Sequence, residues 1–330
     1  MKLASLKSGG RDGTLVVVDR RLERAVRVPH IATTLQQALE RWSEVAAPLA
    51  LVTQELEAGV RADAFAFDTL QAASPLPRAY QFLDGSVYLH HMEKARKARG
   101  AAMPPNYKTD PLMYQGLSDA FCGPHDPLLL PDESLELDYE AEIAIVTDEV
   151  PMGTTVEQAS SYIRLVMLLN DYTLRALTRT ELPKGFGFLQ AKPTSAFSPV
   201  AVTPDELGAA FDGERFTLRV RSSVNGQRMG EPDAGRDMFF TYPQLIAHAA
   251  RTRTLSAGTI IGAGSISNQD ESVGFGCIAE ARIHEQGVHG APRTPWLRFG
   301  DRVCIEAFDV TGASVFGAIN QVIEKGVRSK

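Results

Sequence analysis

The chain has 330 residues, 44% of them apolar and 22% charged, with a formal net charge of −6, which is enough for a large core and a smaller second domain. The acidic balance and the shortness of its densest basic stretch, Lys94 to Arg99, exclude nucleic acid as an expected partner. No apolar run approaches the roughly 20 residues that span a bilayer, the N-terminus lacks a signal-peptide core, and Cys122, Cys277 and Cys304 fall in no paired spacing, so a cytoplasmic protein with no membrane contact is expected.

Taken in chain order, Thr14 to Asp19 reads as a strand, and Thr34 to Val45 as a helix with Leu35, Leu39, Trp42 and Val45 at helical spacing. Prolines in Ala72 to Arg78 mark a linker, which divides the chain into a small N-terminal domain, 1–75, and a larger one, 76–330. Asp84 precedes a helical stretch that carries His90 and His91. Leu137 to Val146 alternates as a strand that turns Glu140 and Glu142 to one face. Two carboxylates about 6 Å apart repel by roughly 2–3 kcal/mol at an effective dielectric of about 20. Either that face is solvated, or a hard divalent cation lies between them.

Val156 to Asn170 is predicted to be a helix packed through Ile163, Val166, Met167 and Leu169; if it continues, Asp171 and Arg175 share a side. Phe216 to Val224 reads as a strand entering a type I′ turn at Asn225-Gly226. Thr259 to Gly264, Cys277 to Ile283 and Val303 to Phe308 are predicted strands, the last closing the fold. Strands and helices do not alternate regularly, which predicts an α+β fold over a doubly wound sheet.

Lys192, Ser265 in a glycine-rich turn, and Glu280 within a predicted strand are single polar residues at the ends or in the middle of apolar segments. Each alone has an ordinary structural explanation. The chain has no P-loop, no HExxH and no nucleophile elbow, and Gly262-Ala263-Gly264 lacks the strand–GxGxxG–helix context of a dinucleotide site. Five segments, taken in order, say more: Leu137 to Ile143, Leu168 to Arg175, Ala191 to Pro199, Gly264 to Ser267, and Ile278 to Glu280. Together they resemble the fumarylacetoacetate hydrolase family over roughly residues 80–310. The resemblance implies a mixed β-roll or sandwich catalytic domain with a small N-terminal domain, a divalent cation (Mg²⁺, Ca²⁺ or Mn²⁺) and a homodimer.

Position by position, it further implies that Asp84, Glu140, Glu142 and Asp171 are metal ligands. His91 would be the general base, Glu280 would orient it, and Lys192 and Arg175 would face the substrate. Tyr114, Ser265 and an arginine, Arg96 or Arg99, would contact it. The implied reaction is hydrolysis of a carbon–carbon bond in a 1,3-diketo acid, with fumarylacetoacetate, split into fumarate and acetoacetate, as the expected substrate. Hydratase, isomerase or decarboxylase chemistry on 2-oxo acids is the alternative on the same fold, and a non-catalytic metal-binding protein is a third. Adjacent His90 and His91 leave the base to be decided by orientation. His90 and Glu93 have the His-x-x-Glu spacing of a lid pair, whereas Lys94 stands where the glutamate of a Tyr-x-x-His-x-x-Glu lid beginning at Tyr88 would fall.

Overall fold

A computed structural model describes residues 1–98 and 100–326; Arg99, one of the two arginines expected at the substrate, lies outside the described residues. Among the described residues, one mixed sheet of eleven strands runs through both halves of the chain. At one end is an antiparallel meander, Lys2–Leu6, Thr14–Val18, Arg24–Arg27 and Phe65–Ala66. It joins the rest where Lys2 and Leu3 pair with Val202 and Ala201. Beyond lie Ile163–Asn170, Ala141–Thr147, Ile260–Gly262, Phe82–Gly85 and Met113–Gln115, in that order. A second sheet of five strands packs against this assembly and contains the hairpin Arg219–Val224 and Gln227–Gly230. Asn225 and Gly226 turn it with φ of 51° and 78°, the paired positive values of a type I′ turn.

The core crosses the segment read as a linker. Leu3, Leu15 and Val17 are buried in one apolar cluster with Ala144, Leu165 and Met167, beneath the helix Trp42–Glu57. The linker itself is packed: Ser74 and Leu76 are buried, and the Pro75 carbonyl accepts a hydrogen bond of 2.7 Å from Ser5 Oγ.

Four expectations are corrected. Val156 to Asn170 is helical only over Val156–Ala159 and a single 3₁₀ turn; Ile163–Asn170 is a central strand. Its side chains are buried on both faces, save Arg164 near its start, so the alternation that marks a half-exposed strand is absent. Cys277 to Ile283 is the start of a helix, Ile278–His289. Its first free N–H groups, of Ile278 and Ala279, donate 2.7 and 3.0 Å bonds to the Asp138 carboxylate. That cap comes from 140 residues away, where local propensity carries no sign of it. Val303 to Phe308 does not close the fold, because Ile319–Lys325 follows it and pairs with Arg302–Phe308. The helix expected over Thr34 to Val45 breaks at Arg41 and resumes as far as Glu57. No helix among the described residues is long and apolar enough to cross a membrane.

Candidate active site

Strand order explains how distant acidic residues meet. Asp84 is paired with Gly262, and Gly262 with Ala144, two residues from Glu142 on the same strand. Glu142 in turn pairs with Leu169, two residues before Asp171. Asp84, Glu142 and Asp171 each place a carboxylate oxygen within 4.8 Å of the others, and all three are buried. Gly262 leaves the room for them: a Cβ there would stand 2.4 Å from Asp84 Oδ1 and 3.1 Å from Glu142 Oε2. The Gly264 N–H donates to both of these carboxylates at 3.1 Å.

Burial and the neighbouring Asp171 charge push the Asp84 carboxyl up to about 8. Burial and Asp84 likewise push Glu142 well above the ordinary carboxylate range. Glu142 Oε1 is buried without a hydrogen-bond partner. Three dehydrated carboxylates and an orphaned lone pair form an oxygen donor set that fits a hard divalent cation.

Glu140 does not join that trio. Lys192 Nζ donates to Glu140 Oε2 at 2.6 Å and to Asp171 Oδ2 at 2.5 Å, and Arg175 Nη2 donates to Glu140 Oε1 at 2.5 Å. Burial alone would raise Glu140, but Lys192 and Arg175 outweigh it and hold the carboxyl well below its usual range. Glu140 is therefore compensated by cations in this structure, and it shares one of them, Lys192, with Asp171 of the trio. Arg175 opens a helix, Arg175–Glu181, after the strand rather than continuing one from before Asp171, and it also grips Asp138 at 2.7 Å. Tyr114 donates its hydroxyl to Asp171, and Ser195 does so at 2.7 Å.

The two histidines separate by orientation. On the helix Leu89–Ala98, His91 turns its Nδ1 to within 3.1 Å of Glu280 Oε2, close enough for an ion pair although not aligned as a hydrogen bond. His90 meets Ser267 Oγ at 2.7 Å, and that hydroxyl donates to Glu280 Oε1 at 2.6 Å. Against the cost of burial, His91 and Ser267 hold the Glu280 carboxyl down to about 2. Burial lowers His90. The His90–Glu93 lid pair is not formed: Glu93 accepts from Tyr107 at 3.2 Å. Lys94 lies 3.7 Å from Glu280 and is paired with Glu271 at 2.6 Å.

A cavity of about 340 Å³ gathers most of the expected site: Asp84, His91, Tyr114, Glu140, Arg175, Lys192 and Ser265 line it, and so does Arg96. Ser265 Oγ is buried there without a partner. Glu142 and Asp171 lie beneath, and Glu280 behind His91. Asp138, Ser195 and Ser267 were not anticipated. Asp138 carried a signal, since Asp138, Glu140 and Glu142 recur at the two-residue spacing of one strand face. Ser267 and Ser195 carried none, because single serines near turns are ordinary.

The chain is similar to 2,4-didehydro-3-deoxy-L-rhamnonate hydrolase of Sphingomonas sp. (strain SKA58), 27% identical over 205 residues, which are 59% of this chain and 69% of that protein. It is 25% identical over 229 residues to the human mitochondrial oxaloacetate tautomerase FAHD1, covering 67% of this chain and 94% of the relative. In fold it matches the crystal structure of maleylpyruvate hydrolase from Sphingobium sp. SYK-6 in complex with manganese(II) and pyruvate, with a TM-score of 0.66, 19% identity, and 99% and 100% of the two chains covered. The family model for the fumarylacetoacetase N-terminal domain 2 matches residues 1–78, and that for the fumarylacetoacetate hydrolase C-terminal region matches residues 81–324. With these two models together matching nearly the whole chain and the α+β fold in agreement, the chain belongs to the fumarylacetoacetate hydrolase family.

Proposed function

We propose that this protein is a divalent-metal-dependent hydrolase that cleaves the carbon–carbon bond of a 1,3-diketo acid, with fumarylacetoacetate and acylpyruvates as the compounds to test first. The observation that carries the reading is a His91–Glu280 pair opening onto the same cavity as the carboxylate site and Lys192. Asp84, Glu142 and Asp171 would hold the cation, Mg²⁺, Ca²⁺ or Mn²⁺, with Glu140 in reach of the same cavity. When bound, the cation supplies positive charge for the substrate's oxygens.

With Nδ1 turned to Glu280, His91 presents Nε2 to the cavity as the atom that takes a proton from water. Glu280 stabilises the imidazolium that results, as an orienting carboxylate does in other His–carboxylate pairs. The water oxygen bonds to the acyl carbonyl carbon, the adjacent carbon–carbon bond breaks, and its electron pair leaves as an enolate. The enolate carbon takes its proton back from the imidazolium, giving a carboxylic acid and a ketone. Lys192 and Arg175 bring fixed positive charge to the cavity wall beside the forming oxyanions. A homodimer in solution is part of the same proposal and is read by sedimentation.

The test is product analysis with fumarylacetoacetate and acetylpyruvate in the presence of each metal. Fumarate with acetoacetate, or acetate with pyruvate, is expected from the native protein, and none from His91→Ala with its metal affinity retained. Undiminished cleavage by that variant removes His91 from the role of base. A second reading, proton transfer between the keto and enol forms of a 2-oxo acid, is supported by the tautomerase relative. It needs the same His91 but breaks no carbon–carbon bond, so loss of enol absorbance from oxaloacetate without new products would select it.

A further inference from the structure

Beside the site cavity lies a second and larger one, of about 690 Å³, and the two meet at His91, Ala95, Arg175 and Thr178. It is an open cleft lined by residues from each of three helices: Leu89–Ala98, Arg175–Glu181 and Ile278–His289. Its volume lies within the range of about 300–1,000 Å³ common to ligand sites, and is about twice that of the site cavity. Its wall mixes apolar surface from Ile283, Val288 and Trp296 with an excess of positive charge. Five lysines and arginines line it (Lys94, Lys97, Arg175, Arg179 and Arg282), against one carboxylate, Glu271. That imbalance occurs in a chain whose net charge is −6.

Three of the five cations are already paired, Lys94 with Glu271, Arg175 with Asp138 and Glu140, and Arg179 with Glu136. Lys97 and Arg282 have no carboxylate within 4.0 Å among the described residues. The Arg282 guanidinium instead lies 4.4 Å over the Trp296 ring and donates to the Thr294 carbonyl. Stacked there, it keeps further N–H groups for an anion.

Geometry also says which part of a substrate would enter. His91 must deliver water to the acyl carbonyl, and His91 stands at the mouth between the cavities. The group attached to that carbonyl is therefore the one directed into the larger cavity. We propose that this cavity receives the acyl arm of the substrate, an arm of aryl size that ends in an anionic group such as a carboxylate. The inference rests on the hydrolase reading for its direction.

The experiment compares acetylpyruvate, benzoylpyruvate and 4-carboxybenzoylpyruvate on the metal-loaded protein, and measures binding of terephthalate, the acid product of the last, by calorimetry. The expected order of kcat/KM is 4-carboxybenzoyl, benzoyl, acetyl, with about tenfold or more between the first two. In Lys97→Gln/Arg282→Gln that gap collapses, and terephthalate binding weakens by a similar factor; Trp296→Leu lowers both aryl substrates together. Equal kcat/KM across the three, or terephthalate binding indifferent to the double substitution, overturns the proposal. Turnover of acetylpyruvate alone, with a partner subunit covering the cavity, overturns it too. Failure of all three substrates removes the hydrolase reading, while terephthalate binding that depends on Lys97 and Arg282 would still locate the anion site.

Discussion

Glu280 is the residue on which the proposed acid–base chemistry turns. It is buried beside His91 and Ser267 and titrates at about 2, so it stays ionised across any practical assay range. Glu280→Gln keeps the volume but removes the charge that stabilises the imidazolium. The expected loss in kcat is about 10²–10⁴-fold, with metal affinity unchanged. The same residue makes a stability prediction whose sign is fixed. Its folded value lies below the unfolded value of 4.5, so its contribution is complete above that value and is lost as pH falls toward about 2. Thermal melts between pH 5 and about 2 should converge for the native protein and Glu280→Gln as pH falls. Curves that stay parallel would refute the assignment. At this scale the regular strand starts at Ala141, one residue after Glu140, but the closeness of Glu140 and Glu142 was legible beforehand from their two-residue spacing. The compensation of Glu140 by Lys192 and Arg175 was not, since it depends on where two long side chains end in space.

Elements place these residues, and at this scale the most consequential position has no functional group at all. Gly262 sits in register with Asp84 and Ala144 on the strand between them. A methyl group there would meet Asp84 Oδ1 at 2.4 Å. Gly262→Ala should leave the strand intact while displacing Asp84, so metal affinity by calorimetry should fall by at least tenfold with little change in Tm. Native affinity in that variant would remove Asp84 from the ligand set. The helix behind His91 is held by another element: Asp138 caps it through two N–H groups and grips Arg175. Asp138→Ala leaves the half-buried Arg175 with Glu140 as its remaining partner and two helix N–H groups without their cap, and should cost about 1–3 kcal/mol, measured by denaturant unfolding. This is also where sequence reading failed most. Ile163–Asn170 is apolar on nearly every side chain, so neither the two-residue nor the 3.6-residue period stands out. The start of the Ile278–His289 helix is specified by an aspartate that belongs to a distant strand.

For the whole molecule, the question is whether the N-terminal residues form an independent unit. Composition and prolines place a boundary near residue 75, and the family models meet between residues 78 and 81. The backbone pairing runs across it. Lys2 and Leu3 continue the large sheet onto Val202 and Ala201, so removing residues 1–78 would leave Ala201–Val202 as an open edge in mid-sheet. It would also strip the cover from Leu165, Met167 and Ala144, which lie in the same apolar cluster as Leu15, Leu49 and Leu56. Uncovering that surface costs about 25 cal/mol for each Å² of apolar area, against a net stability of only about 5–15 kcal/mol for a typical domain. The chain should therefore unfold in one cooperative transition, and residues 79–330 alone should lack the near-ultraviolet circular dichroism of fixed aromatic packing. Phe82, Phe121 and Phe197, which pack edge to face against one another in that same cluster, are the reporters. A truncated chain with native ellipticity, metal affinity and a sharp melt would show that the continuous sheet is an accretion on a self-sufficient catalytic domain. Loss of all three would make the N-terminal meander a structural wall of the active site, positioned through Ile163–Asn170 and hence through Asp171.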